Sequence, residues 1–433
     1  MYLTTNQKFL IAFLGALLWA LFATWISQFW YPSLVEFFTP IGAIVILLAI
    51  AIFPGFMNAF VIFSLLLDKR PKLNTEIDYH PEISILIAAY NEAHTICDTI
   101  QSVLNQEYEN LHSIIVVDDG STDNTASVVK ENFEGNSLVR VVVMPHNSGK
   151  ASALNVGLKL VETPLFVSVD ADCYLYKNSL NNLVFRYLSD PPSAAIAGAV
   201  LVRNSRENII TKIQEWDYFH GIAAVKRIQS LYQGTLVAQG AYTLYETEIV
   251  RELGGWKRSV GEDIVLTWEM LNAGHRVGYA ENACAFTNAP TTWKGFFRQR
   301  ERWARGIFEA IKYSPGVLLK PRKTLMFIWW NVSFVYIDFI YTFVFIPGLI
   351  AALFGNFLIA GPITLLVLPL GLIINYVMFK RSHSMFTEQG LRVRSNIIGF
   401  ILYGVAYNML LQPASTMGYI KEMLSTKKTW GTK

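Results

Sequence analysis

The sequence predicts an α/β domain, with a mainly parallel sheet and helices on both faces, inserted between transmembrane helices. Two observations support this fold class. Long apolar segments cluster at both ends of the 433-residue chain, and short apolar strands alternate with amphipathic helical stretches from Ile83 to about Thr287. Alternation of this kind is typical of parallel sheets covered by helices, which bind ligands at the carboxyl ends of their strands.

The composition is that of a membrane protein with a soluble middle. Hydrophobic residues make up 52% of the chain, and the mean hydropathy is +0.33. The net charge of +3 neither favours nor excludes a polyanionic partner, and we expect no nucleic-acid partner. The three cysteines lack metal-type spacing and are odd in number, which fits a reducing, cytosolic compartment.

Five segments are apolar and long enough to span a bilayer, which takes about 20 residues. They are Phe9 to Trp30, Ile41 to Leu67, Leu325 to Phe354, Phe357 to Phe379 and Asn396 to Ile420. We interpret the first as a retained anchor, and the basic residues at 69–72 place the α/β domain in the cytoplasm by the positive-inside rule. The side of the membrane on which the C-terminal tail lies stays open. Five spans would place the tail outside, but its lysines favour the cytoplasmic side, and Pro413 can break the last segment into a re-entrant piece.

The predicted division of the chain has four parts. Residues 1–72 form two transmembrane helices, 73–290 the α/β domain, 291–323 amphipathic interface helices, and 324–433 about three transmembrane or re-entrant segments and a tail. Four strands are expected within the domain. They are Ile83 to Ala89, Ser113 to Val117, Val139 to Val143 and Leu165 to Val169.

The fourth strand stops abruptly at an acidic tripeptide, Asp170-Ala171-Asp172. Two carboxylates one residue apart at a strand end can hold one divalent cation, because Mg²⁺ uses one or two carboxylates plus substrate phosphate oxygens. A solvated Asp-x-Asp turn is the alternative. The tripeptide alone does not decide between the two, so the surrounding motifs carry the argument.

Three further polar motifs follow strands. They are Ala89-Tyr90-Asn91-Glu92, Asp118-Asp119-Gly120-Ser121-Thr122-Asp123, and Asn147-Ser148-Gly149-Lys150. Carboxylates at such positions can accept hydrogen bonds from a nucleotide, and a lysine at a helix start can contact a phosphate or base oxygen. For the second motif, an Asx turn that caps a helix is the alternative.

Two motifs occur later in the chain, Gly261-Glu262-Asp263 and Gln299-Arg300-Glu301-Arg302-Trp303. A carboxylate at a helix start either complements the helix dipole or acts as a general base near the metal site. An arginine can bind a diphosphate, and a tryptophan face can stack on a sugar. The second motif lies within Trp293 to Tyr313, which predicts an amphipathic helix in the membrane interface or, alternatively, a surface helix.

Six motifs in this order, AAYNE, VDDGSTD, NSGKA, VDAD, GED and QRERW, resemble the processive family 2 glycosyltransferases. These are GT-A enzymes that extend a polysaccharide and pass it through their own membrane segments. The RxRWAxG run, the two-plus-three layout of spans and the short length are most similar to bacterial poly-β-1,6-N-acetylglucosamine synthases. The sequence departs from the pattern of this family at two positions. Ala89 stands where the family often has proline, and Gly261 stands where it often has threonine.

The resemblance implies roles for particular residues. Asp263 would be the general base, with Glu262 beside it, and Asp170 and Asp172 would hold the diphosphate and Mg²⁺ or Mn²⁺. The remaining substrate-binding residues would be Ala89, Tyr90, Glu92, Asp118, Asp119 and Lys150 for the uridine diphosphate, and Gln299, Arg302 and Trp303 for the acceptor and diphosphate end.

The expected function is polymerisation of N-acetylglucosamine from its UDP donor, with inversion and export of a biofilm polysaccharide across the bacterial inner membrane. A growing polysaccharide acceptor and the lipid bilayer are the other implied partners. No cyclic-dinucleotide module is appended, so such regulation would need a partner, for example a small accessory membrane subunit.

Other functions stay open at this point. They are cellulose, chitin or hyaluronan synthesis, and non-processive transfer of one sugar to a lipid carrier. A transporter with a nucleotide-sensing domain is disfavoured, because the spans show no inverted repeat and only Asp338 as an interior acidic residue.

Overall fold

The computed structural model describes residues 3–69, 79–190, 192–232, 234–361, 371–373, 375–380, 383, 386–387, 389–391 and 395–426. The strands are β1 Ile83–Ala89, β2 Leu111–Asp118, β3 Val139–Val143, β4 Leu165–Asp170, β5 Tyr174–Leu175, β6 Ala195–Val202, β7 Tyr242–Glu246 and β8 Val277–Thr287. The helices are α1 Thr5–Ser27, α2 Tyr31–Phe37, α3 Pro40–Leu67, α4 Ile96–Leu104, α5 Thr125–Asn132, α6 Lys150–Leu158, α7 Ser179–Ser189, α8 Ile209–Asp217, α9 Lys226–Leu231, α10 Thr247–Glu252, α11 Glu262–Ala273, α12 Trp293–Tyr313, α13 Thr324–Leu353 and α14 Ile397–Met423.

The eight strands form one sheet in the order β3-β2-β1-β4-β7-β6-β8-β5. The half built from β3, β2, β1 and β4 is parallel, as expected, and the predicted bounds of these strands agree with the structure to within two residues. The other half is mixed, because β7 runs antiparallel to both β4 and β6, and β5 antiparallel to β8. The mainly parallel sheet is thus confirmed, with an antiparallel strand inserted beside β4.

Both faces of the parallel half are covered, which explains why its strands are continuous apolar runs. In β1 all seven residues are buried. Leu86 faces one hydrophobic core, together with Leu154 of α6, while Ile85 and Ile87 face a second core with Ile100 of α4. The expected helices on both faces are therefore present, and the sheet places the ends of β1, β2 and β4 at one edge.

Four helices of the described chain are long and apolar enough to cross a membrane: α1, α3, α13 and α14. They match four of the five predicted spans. The fifth, at 357–379, lies partly outside the described residues, which omit 362–370 and 374. Pro413, which could have broken the last segment, lies within the unbroken helix α14.

Helix α12 has the predicted bounds, but its surroundings differ from the expected membrane interface. It packs between α11 of the α/β domain and α14, so two of its arginines are buried in protein. Arg300 pairs with Asp217 at 2.7 Å, and Arg305 pairs with Glu422 at 2.9 Å. Carboxylates within the protein therefore neutralise these two arginines, which the sequence analysis did not predict.

Candidate functional site

The loops that follow β1 and β2 are hydrogen-bonded to each other. The Asn91 side-chain oxygen accepts the Thr122 amide at 2.8 Å, and the Glu92 amide donates to the Thr125 hydroxyl at 2.9 Å. Asn91 has a φ of 56°, a left-handed conformation that asparagine tolerates better than most residues. The loop that carries Tyr90 and Glu92 is thereby fixed against the next loop.

Asp118 and Asp119 are buried and shape these loops from within. Asp118 Oδ1 accepts the Ser121 amide at 3.1 Å, and the predicted Asx turn lies at Asp123, whose Oδ1 accepts the Thr125 amide at 2.9 Å at the start of α5. The two carboxylate oxygens of Asp119 accept the amides of Ser148 and Gly149, each at 2.8 Å. Both carboxylates therefore hold loops in place, and their direct contact with a nucleotide stays a prediction.

Lys150 joins three motifs that are far apart in the sequence. It is the first residue of α6, directly after Gly149, whose φ of 91° suits a glycine. Its Nζ lies 2.5 Å from Asp170 Oδ1 and 3.3 Å from Glu262 Oε1. Burial alone would lower the pKa of Lys150, but the charges of Asp170 and Glu262 outweigh it and raise this pKa. The ammonium group is therefore permanently charged.

The acidic tripeptide Asp170-Ala171-Asp172 lies at the carboxyl end of β4. Asp170 is the last residue of β4 and stands opposite Ala88 of β1, while Ala89 stands opposite Asp118 of β2. Asp170 is part-exposed and Asp172 follows after a tight turn, in which the Cys173 amide donates to the Asp170 carbonyl at 3.0 Å. The predicted residues at the ends of β1, β2 and β4 are thus brought to one edge.

Glu262 lies deeper than the other carboxylates of the site, with 3% of its surface exposed. Burial raises the pKa of its carboxyl group, while the nearby charge of Lys150 lowers it. Within the described part of the chain, its Oε2 atom has no hydrogen-bond partner. A buried acceptor of this kind is costly unless a ligand or cation satisfies it.

Asp263 lies beside Glu262 in the first turn of α11, half-buried, with its Oδ2 3.4 Å from the Gly240 amide. Sequence reasoning missed Gly240. A Cβ atom there would come within 2.8 Å of Lys150 Nζ, so a larger residue at this position would displace the end of the Lys150 side chain. One glycine before an apolar run was the available signal, and it is a weak one.

Helix α12 brings its motif to the same region. Arg302 donates from Nη1 to the carbonyl of Val260 at 3.3 Å, directly before the Gly261-Glu262-Asp263 motif. Gln299 is buried and donates to the Tyr218 hydroxyl at 3.2 Å. Trp303 is 39% exposed, and the guanidinium of Arg300 lies 4.1 Å from its ring centroid. One face of this tryptophan ring is therefore held by protein.

Sequence reasoning also missed the buried Lys226, at the start of α9. Burial lowers the pKa of Lys226 to about 7, and the charge of Asp263 opposes that shift. A lone lysine in a helical stretch gives no sequence signal for such a position.

Comparisons with known proteins agree with this geometry. Residues 84–254 match the family model described as "Glycosyl transferase family 2". Residues 84–254 are therefore similar to family 2 glycosyltransferases. This confirms the resemblance found in the sequence, and the mixed sheet with its flanking helices is the GT-A fold of such enzymes.

Two relatives are the poly-beta-1,6-N-acetyl-D-glucosamine synthases of Staphylococcus aureus strain COL and Staphylococcus epidermidis. Each is 32% identical, over 263 and 247 residues, which are 60% and 57% of this chain. The matches span 63% and 59% of those relatives, less than two thirds of their length. Among solved structures, the mannosyltransferase PcManGT from Pyrobaculum calidifontis, in complex with GDP-Man and Mn2+, matches with a TM-score of 0.56 and 17% identity. That match covers 88% of this chain and 100% of that one, and it shows the fold alone.

Proposed function

We propose that this protein is a membrane-embedded processive glycosyltransferase that polymerises N-acetylglucosamine from UDP-N-acetylglucosamine, with inversion, and exports the polymer. The observation that carries the proposal is the convergence of motifs. Lys150 bridges Asp170 and Glu262, and Arg302 bonds to the loop that leads into Glu262. The choice of sugar and linkage follows the Staphylococcus relatives, whose names state poly-beta-1,6-N-acetyl-D-glucosamine synthesis.

The residues of the site fit a divalent metal that is shared with a substrate. Among the described residues no cluster of three or more metal-ligating side chains occurs, so these residues alone would leave coordination positions to a substrate. Asp170 and Asp172 offer hard oxygen ligands of the type that Mg²⁺ and Mn²⁺ prefer beside phosphate oxygens. Asp170 and Asp172 would hold the metal, which would stabilise the negative charge of the leaving diphosphate.

In the proposed reaction, an acceptor hydroxyl attacks the anomeric carbon of the donor sugar. A new carbon–oxygen bond forms as the bond to the diphosphate breaks, and UDP leaves with the electron pair. Asp263 takes the hydroxyl proton, because it is the more exposed carboxylate of the Glu262-Asp263 pair. Lys150 keeps its positive charge near the diphosphate oxygens, where it favours departure of UDP.

The acceptor and the membrane segments complete the proposal. Arg302 and the free face of Trp303 would place the sugar at the end of the polymer, next to Asp263. A polysaccharide is polar along its whole length and cannot cross hydrocarbon unaided, so the four apolar helices would provide its path. The basic residues that follow α3 favour a cytoplasmic domain in the inner membrane, with the chain divided at about residues 72, 290 and 323.

The test is to feed membranes that contain the protein radiolabelled UDP-sugars, one at a time, and to measure insoluble or high-molecular-weight product. Label from UDP-N-acetylglucosamine should enter a polymer that a β-1,6-specific hexosaminidase degrades. If only UDP-glucose gives polymer, the donor sugar is glucose and the assignment of N-acetylglucosamine is wrong. Transfer of a single sugar to lipid, without polymer, would contradict processivity.

A further inference from the structure

The loop that leads into the catalytic carboxylates is held by α12. The buried carboxylate of Glu309 accepts the amides of Val260 and Gly261, each at 3.0 Å. Arg302, seven residues earlier and hence on nearly the same face of the helix, donates to the Val260 carbonyl at 3.3 Å. The amide and the carbonyl of Val260 are therefore both bound by side chains of a single helix.

Between these two side chains, the loop touches the helix backbone itself. A Cβ atom on Gly261 would come within 2.5 Å of the Cα atom of Gly306, and one on Gly306 within 3.1 Å of the Cα atom of Gly261. Two glycines facing each other allow this close approach. A threonine has no room at position 261, which accounts for the departure from the residue frequent in similar enzymes.

We propose that Glu309 and Gly306 are positioning residues that set where Glu262 and Asp263 stand relative to the acceptor. The proposal rests on the proposed function, since it takes Asp263 as the base. Helix α11 begins at Glu262, directly after the clamped loop, so a shift of the loop moves the first turn that carries both carboxylates. The same α12 carries Arg302 and Trp303, so one rigid element sets the distance between acceptor and base.

Loss of this clamp should slow catalysis without weakening donor binding. Misplacement of a reacting group by about 1 Å can cost on the order of 100-fold in rate, so Glu309→Ala should lower kcat for polymer synthesis by about 10- to 100-fold. The affinity for UDP should stay unchanged, because Glu309 binds the amides of Val260 and Gly261, and neither of these residues is assigned to UDP binding. Glu309→Gln retains one acceptor oxygen and should recover part of the lost rate.

Gly306→Ala provides a second variant in case Glu309→Ala does not fold. Alanine favours a helix more than glycine does, so α12 itself should not be weakened. The added methyl group would press on Gly261 and Ile264, each 3.1 Å away, and should lower kcat with UDP affinity unchanged. The control is Glu248→Ala, which removes an exposed acidic side chain that pairs with Arg251 and is assigned to no part of the site, and it should keep wild-type kcat.

The measurement is kcat and KM for the UDP-sugar together with UDP binding, in full-length protein in membranes or detergent. A wild-type kcat in Glu309→Ala, or in Gly306→Ala if the former does not fold, would overturn the positioning role. So would a parallel loss of UDP binding and kcat, which indicates a general structural role. A failure of the proposed function can be distinguished from a failure of the positioning role. If Asp263 is not the base, Asp263→Asn retains activity, whether or not Glu309→Ala lowers kcat.

Discussion

The two sides of the site are built in different ways. On the donor side, Lys150, Asp170 and Glu262 all belong to the α/β domain, and its loops are hydrogen-bonded to one another. On the acceptor side, α12 is tied to the membrane helix α14 through Arg305–Glu422 and Lys421–Glu301. The donor side is fixed mainly by the domain, with α12 holding only the loop before Glu262, whereas the acceptor side is fixed by its contacts with a membrane helix. Substitutions should therefore separate donor turnover from polymer formation.

The largest effect is expected from the metal ligands on the donor side, because both halves of the reaction depend on them. Asp172→Asn should abolish polymer synthesis and donor hydrolysis, with a loss of at least about 10³-fold. EDTA should do the same to the wild type, and Mg²⁺ or Mn²⁺ should restore it. Asp98→Asn, which changes an exposed carboxylate paired with Arg203, is the control and should be active. Full activity in the presence of the chelator would refute the metal assignment.

The second-largest effect is expected at Asp263, and it tests whether this residue acts as the base or binds the donor. Asp263→Asn removes the proposed base but keeps the size of the side chain, so polymerisation should fall by about 10²- to 10⁴-fold. UDP binding, measured by calorimetry, should be unchanged. If the variant instead loses UDP affinity, Asp263 belongs to the donor side and the base lies elsewhere.

A smaller effect is expected from the ion pair behind Trp303. Asp217→Asn would leave the buried Arg300 guanidinium without its carboxylate, and breaking a buried pair typically costs about 3–5 kcal/mol. The thermal unfolding temperature should fall, and polymer formation should fall more than UDP release, because Arg300 stacks on Trp303.

The control for Asp217→Asn is Glu248→Gln, which removes an exposed pair with Arg251 and should cost less than about 1 kcal/mol. An unchanged unfolding temperature for Asp217→Asn would show that the Asp217–Arg300 pair does not hold the acceptor side.

The smallest effect concerns pH. Burial lowers the pKa of Lys226 to about 7 in the folded protein. Above that pH the unfolded chain binds a proton at Lys226 that the folded chain does not, so this residue makes the free energy of unfolding rise with pH up to its ordinary pKa. Between pH 7 and pH 9, the unfolding temperature should therefore rise less in Lys226→Met than in the wild type. Equal gains would show that Lys226 is not buried as described.

The donor side was largely predictable from the sequence, and the acceptor side was not. Strands β2 and β4 are largely apolar and end in an aspartate, so the sequence pattern placed Asp118 and Asp170 at strand ends. The antiparallel β7 was not predicted, because pairing between strands so far apart in the chain leaves no local pattern.

The surroundings of α12 were missed for a similar reason. Its bounds followed from its periodicity, but the spacing of arginines on a helix does not reveal carboxylates elsewhere in the chain. Arg300 and Arg305 were therefore assigned only to the polar faces of an amphipathic helix, and their partners Asp217 and Glu422 were not predicted. Glu309 gave no signal either, since its partners are backbone amides.

The most direct test of the difference between the two sides is the amount of polymer formed per UDP released in membrane vesicles that contain Trp303→Ala. The donor side is intact in this variant, so slow release of UDP should persist while polymer is lost, because the acceptor is no longer placed. Trp303→Phe, which keeps a smaller aromatic face, should retain part of the polymer yield. Equal polymer per UDP in Trp303→Ala and the wild type would contradict the acceptor role of α12.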